Sequence, residues 1–441
     1  MAPSAWPCRY RAALERAQER AATAAATERR IACAFTSNVD RVATLDAALL
    51  ERLYEGRLVD GSGPRVTRAD TVEELLVGIA QCIVAGDGTD LPIPAGVQAW
   101  LLERMGGRAQ VGGTGAQAAA TLATLGFPVL LQLTGRSPEQ LSALPHHERM
   151  MVGAASGLIP LDDAVDPGAE TMWHPVLEFA AGLPAPVPGQ PPAPAPNRVL
   201  IRHDPVNAAF RVDPGFDAAL SDPHGEISAL LISGFSQLEE RAIFERTLWD
   251  VAVAVQVWRA VRPGMLVHLE LGAMPEAEAL LRLLDLLHPV IDSLGMNIDE
   301  LRQILSALGQ SLAAPGPDLV AQVACLAERY PVPRLSVHTR EFCLTITRND
   351  PDRERDALLF GSLVAGTRAR IGAFPTFADL ETTLTQGETE PAGLAMMAAC
   401  AAEIGANGQE VVITPGYRNE ETLASVGLGD SFSGGVLAML P

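Results

Sequence analysis

Apolar and polar positions along this chain fall into blocks whose period changes from helix-like to strand-like and back. Residues 10–30 are Ala-rich with dispersed charge and predict one helix. The short apolar run at 30–35 suits a buried strand, and 36–41 reads as the polar turn that ends it. Helix-like stretches with short turns follow over 45–105, with a clear break at 87–94. A Gly-rich turn at 111–117 opens an Ala-rich helix at 115–125, and 127–133 returns as a strand. That order is a repeating α/β unit.

Residues 145–225 break the alternation. Two candidate strands, 171–179 and 198–202, flank a Pro/Ala-rich loop at 184–196, and part of a smaller sheet-containing domain is expected here. From 227 the alternation resumes. Strands are predicted at 229–233, 265–270, 290–294, 334–338, 342–346 and 411–414. Helices are predicted at 239–261, 276–287, 299–310, 317–329, 353–370 and 390–403, with a last helix after the final loop. The whole is a three-layer α/β architecture with no short-period repeat.

Composition narrows the chemistry. The 441 residues suffice for two to three domain-sized units, or one large domain carrying an inserted one. The formal net charge is −20, and the chain has no Lys. A Walker-type phosphate loop, Schiff-base chemistry and pyridoxal phosphate attachment are thereby excluded. Positive contacts to phosphate must come from Arg, a metal or backbone N–H groups. Such acidity argues against nucleic acid as a partner. The six cysteines are scattered without zinc-type spacing and read as buried free thiols of a reducing compartment. The first thirty residues lack the apolar core of a signal peptide, and no run reaches membrane-spanning length, so a soluble cytoplasmic protein is expected.

The final stretch carries the strongest chemical signal. Gly427-Leu-Gly-Asp430 precedes an apolar run and reads as a loop opening a helix, where free backbone N–H groups make an anion site. Asp430 there is either an N-cap or a base that takes a proton from an attacking hydroxyl. His268-Leu-Glu270 ends one predicted strand and Asn297-Ile-Asp-Glu300 follows the next, so in consecutive parallel strands their acids would meet at one sheet edge. Glu270, Glu300 and Asp430 form an oxygen-rich set suited to Mg²⁺; either Glu alone reads equally as a solvated loop acid or a helix-cap contact. Zinc suits the pattern less, because no two histidines have helical spacing around an acid. Asn38, Asp40, Gly112 and Gly113 suit several sugar hydroxyls at once, or simply a turn and a cap.

In chain order, Asn38-Val-Asp40, Gly112-Gly113, His268-Leu-Glu270, Asn297-x-x-Glu300, His338-Thr339 and Gly427-Leu-Gly-Asp430 resemble the ADP-dependent glucokinase and phosphofructokinase family of sugar kinases. The resemblance runs from about residue 31 to the end of the chain. It implies a ribokinase-like large domain of three layers and a smaller α+β lid that closes over the sugar. The expected division is 1–40, 106–165 and 226–441 for the large nucleotide-binding domain, with 41–105 and 166–225 for the lid. It further implies an ADP-dependent hexose kinase that uses Mg²⁺, with a sugar and a nucleotide as its partners and AMP as a product. Glu270 and Glu300 would organise Mg²⁺, partly through water, and Asp430 would be the catalytic base. Gly427 and Gly429 would form the anion hole. Asn297, His338 and Thr339 would contact ADP; Asn38, Asp40, Gly112, Gly113 and His174 would contact the sugar.

This chain departs from the family where the Gly-Gly pair continues. The family usually has Asn or Gln and then Ala-Gly; here the run is Thr114-Gly-Ala-Gln117. For a sugar phosphate, Arg198 and Arg202 are the cationic candidates, and Asp87 and Asp90 stand where glucose-specific members place a Glu. Arg41, beside the sugar set, is a candidate phosphoryl contact. An ATP-using kinase of the same fold, and a sugar or nucleotide sensor with little catalysis, are the alternatives.

Overall fold

The computed structural model describes residues 6–238, 240–272, 274, 276–400, 409–418, 423 and 426–441. Among them, ten strands form the main sheet. From one edge to the other they are Glu410–Pro415, Phe342–Thr347, Arg334–His338, Ser293–Asn297, Leu266–Glu270, Ile227–Ile232, Arg30–Ala34, Val129–Leu131, Met150–Ala154 and Gly157–Pro160. The seven strands from Arg334–His338 to Met150–Ala154 are mutually parallel. Antiparallel pairing begins at Phe342–Thr347 on one side and at Gly157–Pro160 on the other.

Strands Ile227–Ile232, Arg30–Ala34 and Val129–Leu131 read as mainly apolar runs because both faces are covered. On one face Leu230, Val267, Leu294 and Leu335 pack with Leu248, Val255, Trp258 and Leu284 from helices Arg241–Val261 and Ala277–Leu287. On the other face Ile31, Cys33, Val129 and Leu231 meet Tyr10, Leu14, Leu122, Leu363 and Leu437. Those come from helices Trp6–Thr27, Thr114–Thr124, Pro351–Ile371 and Leu428–Met439. These are the three layers that the alternation implies.

A second sheet of five strands has the order Thr89–Pro92, Asn197–Arg202, Trp173–Phe179, Asn38–Thr44, Arg108–Gly112. One of its faces packs on helices Ala47–Tyr54, Val72–Ala85 and Ala95–Arg104 through Leu49, Leu53, Leu75, Ile79 and Leu101. On the opposite face Val42 and Val176 meet Val426 of the final loop.

Several local expectations change. Residues 36–41 are not a turn: Asn38–Thr44 is a strand whose polar face looks into a cleft, so its polarity imitates a loop. The break at 87–94 contains strand Thr89–Pro92. Arg108–Gly112, within the span assigned to the large unit, pairs with Asn38–Thr44 in the small sheet. The strand expected at 290–294 lies at Ser293–Asn297, because His288–Val290 is a helical turn. Helix Phe377–Gln386, started by a Thr376–Asp379 capping box, has no counterpart in the expectations. Of the helix expected at 390–403, Pro391–Ala399 is present and 401–403 lies outside the described residues, as does Ser425 before the final loop. No helix of the described residues is long and apolar enough to cross a membrane. All six cysteines are free, four of them buried, while Cys8 and Cys325 are exposed.

Candidate active site

Three groups of side chains face one another between the sheets. The first lies on the small sheet. Asn38 pairs in register with Gly112, and Asp40 with Gln110 on one side and His174 on the other. Period-two alternation puts Asn38, Asp40 and Val42 on the face opposite the helices that pack on this sheet. Asn38 Nδ2 donates to Asp40 Oδ1 at 2.7 Å. Burial pushes the Asp40 carboxyl up to about 6, against the neighbouring His174 and the Asn38 bond, with Asp430 adding to the rise. His174 Nε2 lies 2.8 Å from Asp204 Oδ2, so a second buried carboxylate fixes the ring. Gly113, at φ +86°, is the N-cap of helix Thr114–Thr124. Arg41 points to the other face, where its guanidinium lies over the Trp173 ring at 5.2 Å, so it is not the expected phosphoryl contact.

The second group sits at the ends of three parallel strands. Glu270 Oε2 lies 2.9 Å from His268 Nε2 and Glu270 Oε1 lies 2.9 Å from His338 Nε2. Burial works to raise the Glu270 carboxyl, but the two imidazoles outweigh it and hold the group well below the usual range. Asn297 is the N-cap of helix Ile298–Ala307 and Glu300 its third residue, in a reciprocal capping box. Asn297 N donates to Glu300 Oε2 at 2.7 Å and Asn297 Nδ2 to Glu300 Oε1 at 2.9 Å. Burial still pushes Glu300 up to about 8, with the backbone bond from Asn297 opposing and the Glu270 charge adding. The Thr339 hydroxyl closes the turn after its strand, donating to Phe342 O at 2.9 Å.

The third group is the start of helix Leu428–Met439. Its N-cap is Gly427, at φ +72°, and no side chain caps it, so Asp430 is not the N-cap. Asp430 stands in the first turn, hydrogen-bonded by Thr114. Burial raises its carboxyl above the ordinary aspartate value, Arg368 opposes, and Glu270 adds to the rise. Arg368 Nη1 donates to Gly427 O at 2.8 Å and to Ser431 Oγ at 2.7 Å, and Nη2 bonds Gln117 Oε1. Gly429 sits beside the His338 ring.

Asp430 is close enough to Asp40, His338 and Arg198 to bias the protonation of each. The sugar-type set, the carboxylate set and the Gly-rich loop therefore share one cleft. Among the described residues, no three His, Cys, Asp or Glu side chains enclose a metal position directly. Glu270 and Glu300 instead present two carboxylates at neighbouring strand ends, a pair that could hold a cation through its water shell. Sequence reasoning missed Arg368, which supports the loop from the last turn of helix Pro351–Ile371. The unusual run after Gly113 has a use here, because Thr114 bonds Asp430 and Gln117 braces Arg368.

Comparison with known proteins identifies the family and the fold. The profile described as "ADP-specific Phosphofructokinase/Glucokinase conserved region" matches residues 29–439. No curated protein matches the sequence. Among solved structures, an ADP-dependent kinase in complex with fructose-6-phosphate and ADPβS superposes with TM-score 0.82 at 18% identity, covering 100% of this chain and 98% of the other. The last common ancestor of ADP-dependent phosphofructokinases from Methanosarcinales gives 0.79 at 19%, with coverage of 100% and 98%. A phosphofructokinase from Pyrococcus horikoshii OT3 with AMP gives 0.76 at 16%, with coverage of 93% and 97%. At such identities the likeness is one of fold, and the fold is the ribokinase-like one. The match of the conserved region over nearly the whole chain establishes membership: this protein belongs to the ADP-specific phosphofructokinase/glucokinase family, the ADP-dependent sugar kinases.

Proposed function

We propose that this protein transfers the β-phosphoryl group of ADP to a hydroxyl of a phosphorylated hexose, fructose 6-phosphate in the first instance, leaving AMP. The observation that carries the transfer is Asp430 in the first turn of an uncapped helix, facing the Asp40 set across the cleft. Asp430 takes the proton of the attacking hydroxyl. The free N–H groups at the start of helix Leu428–Met439 receive the phosphoryl oxygens, and Arg368 holds that loop from behind. Asn38, Asp40, Gly112, Gly113 and His174 orient the sugar, while Asn297, His338 and Thr339 lie toward the nucleotide. The small sheet acts as the lid. Its helices Ala47–Tyr54, Val72–Ala85 and Ala95–Arg104 back the sheet on the side away from the cleft.

Glu270 and Glu300, with Asp430 nearby, would hold hydrated Mg²⁺, which supplies charge neutralisation at the phosphoryl oxygens when bound. Glu270 is kept ionised by two imidazoles, and Glu300 carries an elevated carboxyl that a neighbouring cation would relieve.

The phosphorylated acceptor is favoured by Arg198 and Arg202. Both alternate onto the face that carries Asp40, through the pairing of Val176 with Leu200 and Glu178 with Arg198. A second reading, unphosphorylated glucose, is favoured by Asp90, which takes Arg202 Nε on both oxygens at 2.9 Å and so offsets its charge. Asp87 is paired elsewhere, with Arg65.

The deciding experiment is a matrix of ADP and ATP against glucose and fructose 6-phosphate, with Asp430→Ala beside the unaltered chain. Transfer from ADP to fructose 6-phosphate, reduced about 10²–10⁴-fold in Asp430→Ala, is the expected result. Near-normal turnover in the variant would remove Asp430 from its role. Tight sugar binding without turnover under every donor would turn the reading toward a sensor.

A further inference from the structure

A row of polar side chains runs sideways through strands that are otherwise apolar, beneath the cleft. His268, Ser293 and Arg334 are in register on three neighbouring parallel strands. Each is at most 2% exposed. Arg334 Nη1 donates to Ser293 Oγ at 3.0 Å. Ser293 Oγ lies 2.8 Å from His268 Nδ1, and His268 Nε2 lies 2.9 Å from Glu270 Oε2. Behind the row, Glu354 takes Arg334 Nε on both oxygens at 2.9 Å.

Counting protons gives the row a direction. A guanidinium only donates. Ser293 Oγ accepts from Arg334, and its own single proton goes to His268 Nδ1. The imidazole proton then sits on Nε2 and points at Glu270. The reverse arrangement sets a bare Nε2 lone pair against a carboxylate lone pair, or requires an imidazolium beside the Arg334 guanidinium. The far oxygen of Glu270 is taken by His338. The sheet is cut away to receive the pair: a Cβ on residue 295 would lie 2.2 Å from Glu270 Oε2 and 2.8 Å from His268 Cε1.

We propose that Ser293 and Arg334 are positioning residues for phosphoryl transfer, fixing His268 as the Nε2–H tautomer and thereby aiming Glu270 into the cleft. Neither residue belongs to a motif read from the sequence, and both act only through His268. The inference rests on the role proposed for Glu270. In a metal site, such supporting hydrogen bonds set the orientation of the ligand group.

The test uses the full chain labelled with ¹⁵N-histidine, as Ser293→Ala and Ser293→Thr. The unaltered protein is expected to show His268 as a single Nε2–H tautomer. In Ser293→Ala that pattern is lost, and kcat falls by about tenfold or more, the usual effect of removing a supporting bond. The sugar KM stays within about twofold, because the sugar set lies on the other sheet and keeps its bonds. Ser293→Thr, which keeps the hydroxyl, restores both. Ser293→Cys, with similar volume and a weak donor, gives the same reading should the alanine variant not fold. An unchanged tautomer in Ser293→Ala overturns the proposal, and so does a changed tautomer with unchanged kcat. If the unaltered chain transfers no phosphoryl group from any donor, the functional reading falls by itself. The tautomer measurement still decides whether the row fixes His268.

Discussion

Gly112 and the Asp40 carboxylate share one space: a Cβ on residue 112 would lie 2.2 Å from Asp40 Oδ1 and 2.1 Å from Asn38 Nδ2. The missing side chain is what lets those two groups sit together on the sheet face. Gly112→Ala must therefore displace both. Misplacement of a positioning group by about 1 Å costs on the order of 10²-fold in rate. The expected outcome is a loss of kcat/KM for the sugar of that order, with ADP affinity unchanged by calorimetry. A variant with ordinary sugar kinetics would show that Asn38 and Asp40 do not hold the acceptor.

The base role proposed for Asp430 requires the ionised carboxylate, and this carboxyl is raised by burial first, with Arg368 opposing. The acidic limb of kcat/KM should therefore lie above the pH of an ordinary aspartate. Below that limb the rate falls roughly tenfold per pH unit. Arg368→Gln removes the opposing cation and should move the limb to higher pH. A limb that moves to lower pH, or stays in place, would contradict the pairing.

Asp40 links the same cleft to stability. Its folded value of about 6 lies above the ordinary 3.8, so the native state favours the protonated form. For such a group the stabilisation is complete below about 3.8 and is lost as pH rises through about 6. Asp40→Asn, which stays neutral and still accepts the Asn38 bond, should flatten the dependence of unfolding free energy on pH across that window. Urea titrations at a series of pH values measure the difference.

Glu300, pushed up to about 8 by burial with Glu270 adding its charge, should be largely protonated at neutral pH. A divalent cation beside it favours the ionised form, so Mg²⁺ binding should release a proton. Apparent Mg²⁺ affinity should then rise with pH up to about 8 and level off. Calorimetry in buffers of different ionisation enthalpy counts the proton, and Glu300→Gln should abolish the release. Proton uptake on binding would reverse the assignment.

Gly427 tests the loop. At φ +72° a non-Gly residue costs about 1–2 kcal/mol through its left-handed backbone alone. A Cβ there would also lie 1.8 Å from Gln117 Oε1 and 2.6 Å from Arg368 Nη2. Gly427→Ala should destabilise the chain by at least that amount in urea unfolding. It should also lower kcat more than it raises the sugar KM, because it displaces the Arg368 bonds that hold the helix start.

Much of this protein was legible in the chain alone. The short apolar runs at 30–35 and 229–233, buried on both faces, announced a parallel sheet, and the alternating helices announced its two covering layers. Glu270 and Glu300 were visible because each follows a strand that must end at a sheet edge, and Asp430 because it stands where an apolar run opens a helix. Such signals are local, set by backbone periodicity and by the unpaired groups at element ends. What depended on distant pairings was not legible. Asn38 and Asp40 looked like a turn because only the fold supplies the polar cleft that their strand faces. Arg108–Gly112 belongs to the small sheet, where Gly112 pairs with Asn38 and lies against Asp40. Arg368, in the last turn of its helix, and Ser293 and Arg334, inside buried strands, gain meaning only from partners 59, 25 and 41 residues away. Burial makes an unpaired polar group costly, so tertiary structure alone decided which groups these would satisfy.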